Sequence, residues 1–168
     1  MSVAVVTDST AYLPDPGGLT VVPLHVVVGD RELAEGTELS SAELARLLAG
    51  RKVTVTTSRP APERFAEAYR RLFGDGVTGI VSVHLSARLS GTVEAARLAA
   101  APFGDAVRVI DSRSAGMATG FAALAAAACD DLEEAAKAAQ TAIERTTSLF
   151  YVDTLDFLRR GGRIGAAS

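Results

Sequence analysis

The stretch that decides the fold is residues 79–92, which read GIVSVHLSARLSGT. Its first five residues form a short apolar run rich in Val and Ile, which is typical of a buried strand. A turn rich in Ser follows, and a helical pattern then runs from about residue 90 to residue 101. The stretch therefore predicts a buried strand that leads through a polar turn into a helix.

The same unit of apolar run, polar turn and Ala-rich amphipathic segment recurs along the chain. Near-continuous apolar strands that alternate with helices predict an α/β fold. Its sheet is mostly parallel and carries helices on both faces, which makes three layers. The predicted strands are 3–6, 20–28, 53–55, 79–83, 106–110 and 148–152. The predicted helices are 40–49, 62–72, 90–101, 114–128 and 131–146.

Two of the predicted helices have clear start signals. Ser40 followed three residues later by Glu43 is a capping box, in which each residue satisfies a backbone amide of the other. Pro60 and Pro62 precede and open the next helix, where the missing amide of proline costs little.

The composition excludes several classes of function. The chain has 168 residues, 48% of them hydrophobic and 22% charged, with a formal net charge of -3. This is enough apolar material for a core of one or two small domains. The mild acidity argues against nucleic acid or an anionic lipid surface as the main partner. The single cysteine, Cys129, cannot form an internal disulfide and predicts a cytoplasmic location.

Neither a signal peptide nor a membrane span is expected from the sequence. No N-terminal segment combines a basic start with an apolar stretch. The longest apolar run, 121–129, is far shorter than a helix that crosses a bilayer.

Four of the predicted strand-to-helix turns carry short hydroxyl side chains. They lie at 7–10, 56–60, 84–92 and 111–116. Ligands of open α/β sheets bind outside the carboxyl ends of the strands. Hydroxyl groups and free amides at helix N-termini suit an anion, so the pattern predicts an anion or carboxylate site at this edge. Each turn taken alone is also what an ordinary helix N-cap looks like.

The same turns show no evident pair of nucleophile and base, so we assign no catalytic residue and no metal site. Residues 74–79 match a dinucleotide-binding pattern, but they precede a strand and are better explained as a turn. We expect His25 to be a buried core residue, and His84 either to pack or to support the Ser-rich turn. Asp8 and Asp111 end strands, where a carboxylate can serve a ligand or cap a helix.

The helix predicted at 114–128 is apolar almost all round, mostly through alanine. Such a helix is usually buried on more than one side. Its small side chains fit either close packing on the sheet or room for an elongated apolar ligand, and the sequence leaves both open.

The C-terminal part of the chain has a different pattern. Residues 153–160 predict a short helix that ends at Gly161 and Gly162. We expect residues 1–147 to form the α/β domain that carries the hydroxyl-rich turns. Residues 148–168 are then the start of a second domain that is truncated or missing.

Taken together, the strand-end segments resemble the DegV family of bacterial fatty-acid-binding proteins. The matching segments are Val6–Ala11, Thr57–Pro60, Leu89–Thr92, Val109–Ser112 and Asp153–Ile164, in the order of the family. The resemblance implies a fold like the DegV N-terminal domain and a bacterial cytoplasmic protein without a cofactor. It also implies that the protein binds a long-chain fatty acid and presents it to a partner fatty acid kinase, without being an enzyme itself.

The resemblance also implies roles for individual residues. By their places in the motifs, Thr57 and Ser90 look like the hydroxyls that bind the carboxylate. Ser58 and the backbone of Gly91 look like supporting contacts. Arg163 looks like a basic residue near the head group or on the surface that faces the kinase.

Two departures from the family pattern change these expectations. Arg59 stands where the family commonly has Gln, and it adds a cation that faces either the head group or a partner. We expect the family's second domain, which helps to close the pocket, to be truncated or missing. Since burial of each CH₂ contributes about 0.8 kcal/mol, we expect weaker ligand retention. We also expect an exposed apolar face where the second domain would dock, through which the protein self-associates.

Two other functions fit the same residues. One is an enzyme that acts on a phosphorylated small molecule at the same strand-end site, with Asp8 or Asp111 as base or metal ligand. Arg59, Arg88 and Arg113 keep this alternative open. The other is an interaction scaffold that binds no small ligand.

Overall fold

The structure is a computed structural model that describes residues 2–49, 55–149, 151, 154–155, 158–159 and 161–164. Its strands are β1 (Val3–Asp8), β2 (Thr20–Val22), β3 (His25–Val28), β4 (Arg31–Ala34), β5 (Val55–Ser58), β6 (Gly79–His84) and β7 (Val107–Asp111). Its α-helices are α1 (Ser41–Ala49), α2 (Pro62–Gly74), α3 (Thr92–Ala100), α4 (Met117–Ala127) and α5 (Leu132–Arg145). Short 3₁₀ turns lie at Ser9–Ala11 and Ala101–Ala106.

The main sheet is parallel, with strand order β2-β1-β6-β7. Helices α2 and α3 pack on one face, where Phe65 and Tyr69 meet Val6 and the alanines of α3. Helices α4 and α5 pack on the other face, where their alanines meet Val81 and its neighbours. The predicted three-layer α/β fold with a mostly parallel sheet is confirmed, because both faces of its central strands are buried.

A second, smaller sheet was not predicted. The single strand expected over 20–28 is wrong: it is two strands, β2 and β3, that belong to different sheets. Pro23 lies between them and cannot donate to a ladder, so the parallel pairing stops there. Strand β3 then pairs antiparallel with β4 and β5. The strand expected at 53–55 begins at Val55, and residues 53 and 54 lie outside the described residues.

The helix starts agree with the sequence signals. The Ser40 amide donates to Glu43 Oε2 at 3.0 Å, and the Glu43 amide donates to Ser40 Oγ at 3.3 Å. The predicted capping box is therefore confirmed, and its hydrogen bonds lower the pKa of Glu43. Helix α2 begins at Pro62 as expected.

The C-terminal segment is only partly as predicted. Residues 148, 149 and 151 are outside any strand, so the strand expected at 148–152 is wrong for these residues; 150 and 152 lie outside the described residues. Leu158 and Arg159 are helical, whereas 153, 156, 157 and 160 are not described. The Gly162 amide donates to the Arg159 carbonyl at 2.9 Å and the Arg163 amide to the Leu158 carbonyl at 2.8 Å. With Gly162 at a φ of 71°, this is the expected glycine cap.

Close packing accounts for the small side chains of α4. A Cβ atom at Gly120 would lie 2.7 Å from the Ala11 carbonyl oxygen and 3.0 Å from Leu13 Cδ2. On the adjoining faces of the helix, Ala122 and Ala126 are fully buried in the core. The structure thus favours packing over a ligand slot beside this helix. Within the described residues, none of the helices combines the length and apolar character needed to span a bilayer.

Replacement of Gly120 by alanine should destabilise the protein. The added methyl group would press on backbone, so we expect a loss of about 1–2 kcal/mol in the free energy of unfolding, even though alanine favours the helix. Urea denaturation of Gly120→Ala would measure it. Gly74→Ala is the matched control, since a Cβ there meets nothing within 4 Å. Equal stability of the two variants would contradict this account of α4.

Candidate carboxylate site at the strand ends

The loop from β6 to α3 is compact and presents the start of a helix. The amides of Leu89 and Ser90 both donate to the Ser86 carbonyl, at 2.9 and 3.1 Å. Ser90 Oγ lies 2.9 Å from Thr92 Oγ1, and the N-cap Gly91 gives α3 no side-chain cap. The first amides of α3 are therefore free of side-chain partners, and the positive end of the helix dipole faces the same place.

The end of β5 presents Thr57 and Ser58 in opposite directions. Thr57 pairs with Val26, and directly opposite residues of an antiparallel ladder share a face. Val26 is buried, whereas Thr57 is exposed and its hydroxyl has no hydrogen bond to any described residue. On the other face, the Ser58 hydroxyl donates to Glu32 Oε1 at 2.8 Å. The Ser58 side chain is thus directed away from Thr57.

Arg59 connects the end of β5 to the start of α3. Its Nη1 atom lies 2.2 Å from the position that a Cβ atom of Gly91 would take, so the guanidinium rests on this glycine. Thr57 precedes Arg59 by two residues and Ser90 directly precedes Gly91. The two predicted carboxylate-binding hydroxyls therefore lie on segments that meet. Arg163 joins the same loop, because its Nε donates to the Leu89 carbonyl at 3.2 Å.

The buried carboxylate of Asp8 anchors the start of the loop from β6 to α3. Asp8 at the end of β1 is fully buried, and its Oδ2 accepts hydrogen bonds from His84 Nδ1 and from the Leu85 amide, both at 3.0 Å. Its Oδ1 accepts from the Thr10 amide at 3.0 Å and from the Thr10 hydroxyl at 2.5 Å. One side chain thus joins the ends of two strands and the first residue of the loop that carries Ser90.

The Asp8 contact continues through the core as a chain of buried polar groups. His84 Nε2 lies 2.7 Å from Ser82 Oγ, which lies 2.8 Å from the Tyr69 hydroxyl. All three side chains are fully buried. The alternative that His84 supports the Ser-rich turn is therefore the one that the contacts favour. Ser82 and Tyr69 were missed, although a serine within an otherwise apolar strand signals a buried partner.

Burial and hydrogen bonding act in opposite directions on these groups. Burial by itself raises the pKa of Asp8, but the hydrogen bonds from His84 and its neighbours outweigh it and hold the pKa below the usual 3.8. Burial raises the pKa of Tyr69 to about 12, so its hydroxyl stays protonated.

Two of the four hydroxyl-rich turns serve the fold instead of a ligand. In the turn at 7–10, Ser9 Oγ donates to Glu35 at 2.6 Å and accepts from the Leu24 amide at 3.0 Å. In the turn at 111–116, Ser112 Oγ lies 2.9 Å from Thr119 Oγ1 inside the protein. The Ser9 and Ser112 hydroxyls are therefore occupied by protein groups, although both turns also bond to the loop at 84–92 through backbone amides.

The residues proposed for an enzymatic alternative are engaged elsewhere. Both oxygens of Asp8 are occupied and buried, and Asp111 Oδ1 accepts the amides of Ala87 and Arg113 at 3.2 and 2.8 Å. His25 is not a buried core residue as expected, since 21% of its side chain is exposed beside Glu32. In the part of the chain that the structure describes, no three His, Cys, Asp or Glu side chains are grouped to hold a metal ion.

A parallel sheet with a loop and a helix start at its carboxyl edge is the arrangement of α/β ligand-binding domains. The model of a known family, described as "Uncharacterised protein, DegV family", matches residues 2–168. The chain therefore belongs to the DegV family.

Relatives and solved structures agree with this assignment. A DegV domain-containing protein of Streptomyces coelicolor is 57% identical over 98% of this chain and 61% of its own length. A DegV family protein of Thermus thermophilus, whose structure is described as fatty acid binding, is 34% identical over 98% of this chain and 61% of its own, with a TM-score of 0.88. DegV of Bacillus subtilis, described as a fatty acid binding protein, is 31% identical over 96% of this chain and 61% of its own, with a TM-score of 0.89. The chain thus spans about three fifths of these proteins.

Replacement of Asp8 by asparagine should destabilise the protein strongly. Asparagine keeps one acceptor oxygen but places an NH₂ donor where the other oxygen accepted hydrogen bonds, so we expect a loss of about 3 kcal/mol in the free energy of unfolding. Urea denaturation at neutral pH would measure it. Asp130→Asn, at an exposed carboxylate, is the control. If both variants unfold at the same urea concentration, Asp8 does not hold the strand ends together.

The same variant should change how stability depends on pH. Since the folded-state pKa of Asp8 is below 3.8, its ionised form stabilises the fold above pH 3.8. This contribution is lost as the pH falls from 3.8 through the folded-state pKa. We therefore expect the stability gap between wild type and Asp8→Asn to be constant near neutral pH and to narrow in acid. A gap that widens on acidification would oppose the assignment.

Proposed function

We propose that this protein binds a long-chain fatty acid and acts as a carrier instead of an enzyme. The observation that carries the proposal is its likeness to the Thermus thermophilus and Bacillus subtilis proteins, which are both described as fatty acid binding. The likeness extends over 98% and 96% of this chain, so it includes the segments that meet at Arg59 and Gly91.

The carboxylate of the fatty acid is held, in this proposal, by the hydroxyls of Thr57 and Ser90 and by amides at Gly91 and the start of α3. Support comes from the exposed hydroxyl of Thr57, which has no hydrogen-bond partner among the described residues, and from the lack of a side-chain cap at the N-cap Gly91. An anion at a helix N-terminus gains from the dipole and from free amides together. Because the Ser58 hydroxyl is bonded to Glu32, Ser58 contributes through its main chain.

The acyl chain is proposed to enter an apolar cavity at the same edge of the sheet. A cavity of about 480 Å³ lies where β1 and β2 end. Its lining is mainly apolar, with Tyr12, Leu13, Pro14, Val21 and Pro23 among its residues, and it also includes Asp8, Ser9, Glu35 and Thr37. This volume is in the range of small-molecule pockets. Since β1 lies between β2 and β6, the cavity and the loop before α3 share the carboxyl edge of the parallel sheet.

The proposed partner and location rest on the family resemblance described above. We propose that the protein presents its fatty acid to a fatty acid kinase, which supplies the phosphoryl-transfer chemistry, and that both act in the cytoplasm. Arg163, bonded to the loop at Leu89, is proposed to lie near the head group or on the surface that faces the kinase.

Loss of both hydroxyls should abolish tight fatty acid binding. A hydrogen bond to a charged group contributes about 1.5–3 kcal/mol, so Thr57→Ala combined with Ser90→Ala should weaken binding by about 100-fold or more. Native mass spectrometry would show the fatty acid on the wild type and its loss from the double variant. Thr141→Ala, at an exposed position on α5, is the control. Retention of the ligand by the double variant would refute the assignment.

The exposed face of α4 is proposed as a surface for self-association. Phe121 and Leu124 are 52% and 41% exposed and lie three residues apart, on one side of the helix. Gly120 of the same helix contacts Ala11, which directly precedes Tyr12, a side chain that is 64% exposed. These side chains leave an apolar face open to water, which favours association.

Light scattering should detect this association as a mass that rises with protein concentration. Phe121→Glu combined with Leu124→Glu should restore the monomer, because two charges would be buried at the contact. Leu98→Glu, on α3 and 60% exposed, is the control and should leave the association intact. A wild-type protein that stays monomeric at all concentrations would rule the surface out.

A further inference from the structure

Arg59 occupies an electrostatically unfavourable position. Its guanidinium rests on Gly91, the N-cap of α3, where the helix dipole presents partial positive charge. No carboxylate of the described residues lies within ion-pair distance of Arg59, whereas Arg64 on the following helix lies 3.5 Å from Glu67. Because Arg59 is exposed, water screens part of this repulsion, and an anion bound between the guanidinium and the helix start would remove the rest.

We infer that Arg59 binds the anionic head group directly and makes the site selective for charged lipids over neutral ones. This inference rests on the proposed function, because the ligand is the same fatty acid. The carboxylate lies between the guanidinium and the first amides of α3 and neutralises both. The planar guanidinium can donate two parallel hydrogen bonds to the two carboxylate oxygens, which a neutral alcohol cannot accept in the same way.

The local backbone directs Arg59 toward the same side as Thr57. Side chains two residues apart in an extended strand share a face. Arg59 precedes Pro60, and a residue before proline is held in the extended region, so the alternation of β5 continues through Arg59. Thr57 and Arg59 therefore lie on the same face of this extended segment, and Arg59 also borders the cavity that His25, Glu32 and Glu38 line.

Gly91 is what allows this approach. A Cβ atom at this position would lie 2.2 Å from Arg59 Nη1 and 3.0 Å from its Cδ, which no side chain tolerates without moving. The φ of Gly91 is -77°, so alanine fits the backbone itself. Gly91→Ala should therefore displace the arginine and leave the amides of α3 in place.

Binding of oleate and of oleyl alcohol to the purified full chain tests the inference by isothermal titration calorimetry. Arg59→Gln should weaken oleate binding by about 10- to 100-fold and leave oleyl alcohol binding unchanged. Arg59→Lys should restore part of the loss, since it keeps the charge but not the planar fork. Added salt should weaken oleate binding by the wild type more than by Arg59→Gln. Arg64→Gln, which removes a neighbouring exposed arginine, is the matched control and should bind oleate like the wild type.

A double-mutant cycle separates a direct role of Gly91 from its role in seating Arg59. Gly91→Ala should weaken oleate binding about as much as Arg59→Gln, and the two together should weaken it no further. Losses that add would show that Gly91 acts independently, and equal oleate affinity of wild type and Arg59→Gln would overturn the inference. A wild type that binds oleyl alcohol as tightly as oleate would overturn it as well. A wild type that binds neither lipid would instead refute the proposed function.

Discussion

The fully buried carboxylate of Asp8 is the interaction on which the arrangement of this protein's carboxyl edge depends. A charge in a protein interior is costly unless it is fully hydrogen bonded. Asp8 meets that condition with donors from three places: its own 3₁₀ turn, the end of β6 and the first amide of the next loop. Since both oxygens are used, the carboxylate sets how the β1 and β6 chains leave the sheet. The loop that carries Ser90 and Gly91 starts from this fixed point.

Serine and threonine at strand ends therefore perform two different tasks in this fold. Those near β1 and β7 bond to other protein groups and hold turns in place, as Ser9 does with Glu35 and Ser112 with Thr119. Thr57 has no such partner among the described residues. Serine and threonine residues at equivalent places in the sequence pattern thus bond to protein groups in one turn and remain available to a ligand in another. Only the surrounding contacts distinguish the two.

The parallel sheet and its helices could be predicted because their signals are local. Apolar runs, the Ser40–Glu43 capping box and the glycine cap at Gly162 each depend on residues close in sequence. The small antiparallel sheet could not be predicted, because β4 is short, half exposed and joined to β3 only through pairing. Pro23 indicates that the strand is interrupted, but it lies within a long apolar run that is also typical of one continuous strand. The approach of Arg59 to Gly91 joins residues 32 positions apart, and sequence patterns do not report such distances.

The place of β7 at one side of the parallel sheet bears on how the protein avoids aggregation. Within the described residues β7 pairs only with β6, so its outer backbone amides and carbonyls could accept a strand from another molecule. Arg108 is the second residue of this strand and is ion-paired with Asp105 and with Glu133 of α5. A strand that docked there would have to accommodate these ion-paired side chains beside the start of β7. The ion pairs of Arg108, Asp105 and Glu133 thus disfavour the addition of a strand from another molecule at this unpaired edge of the sheet.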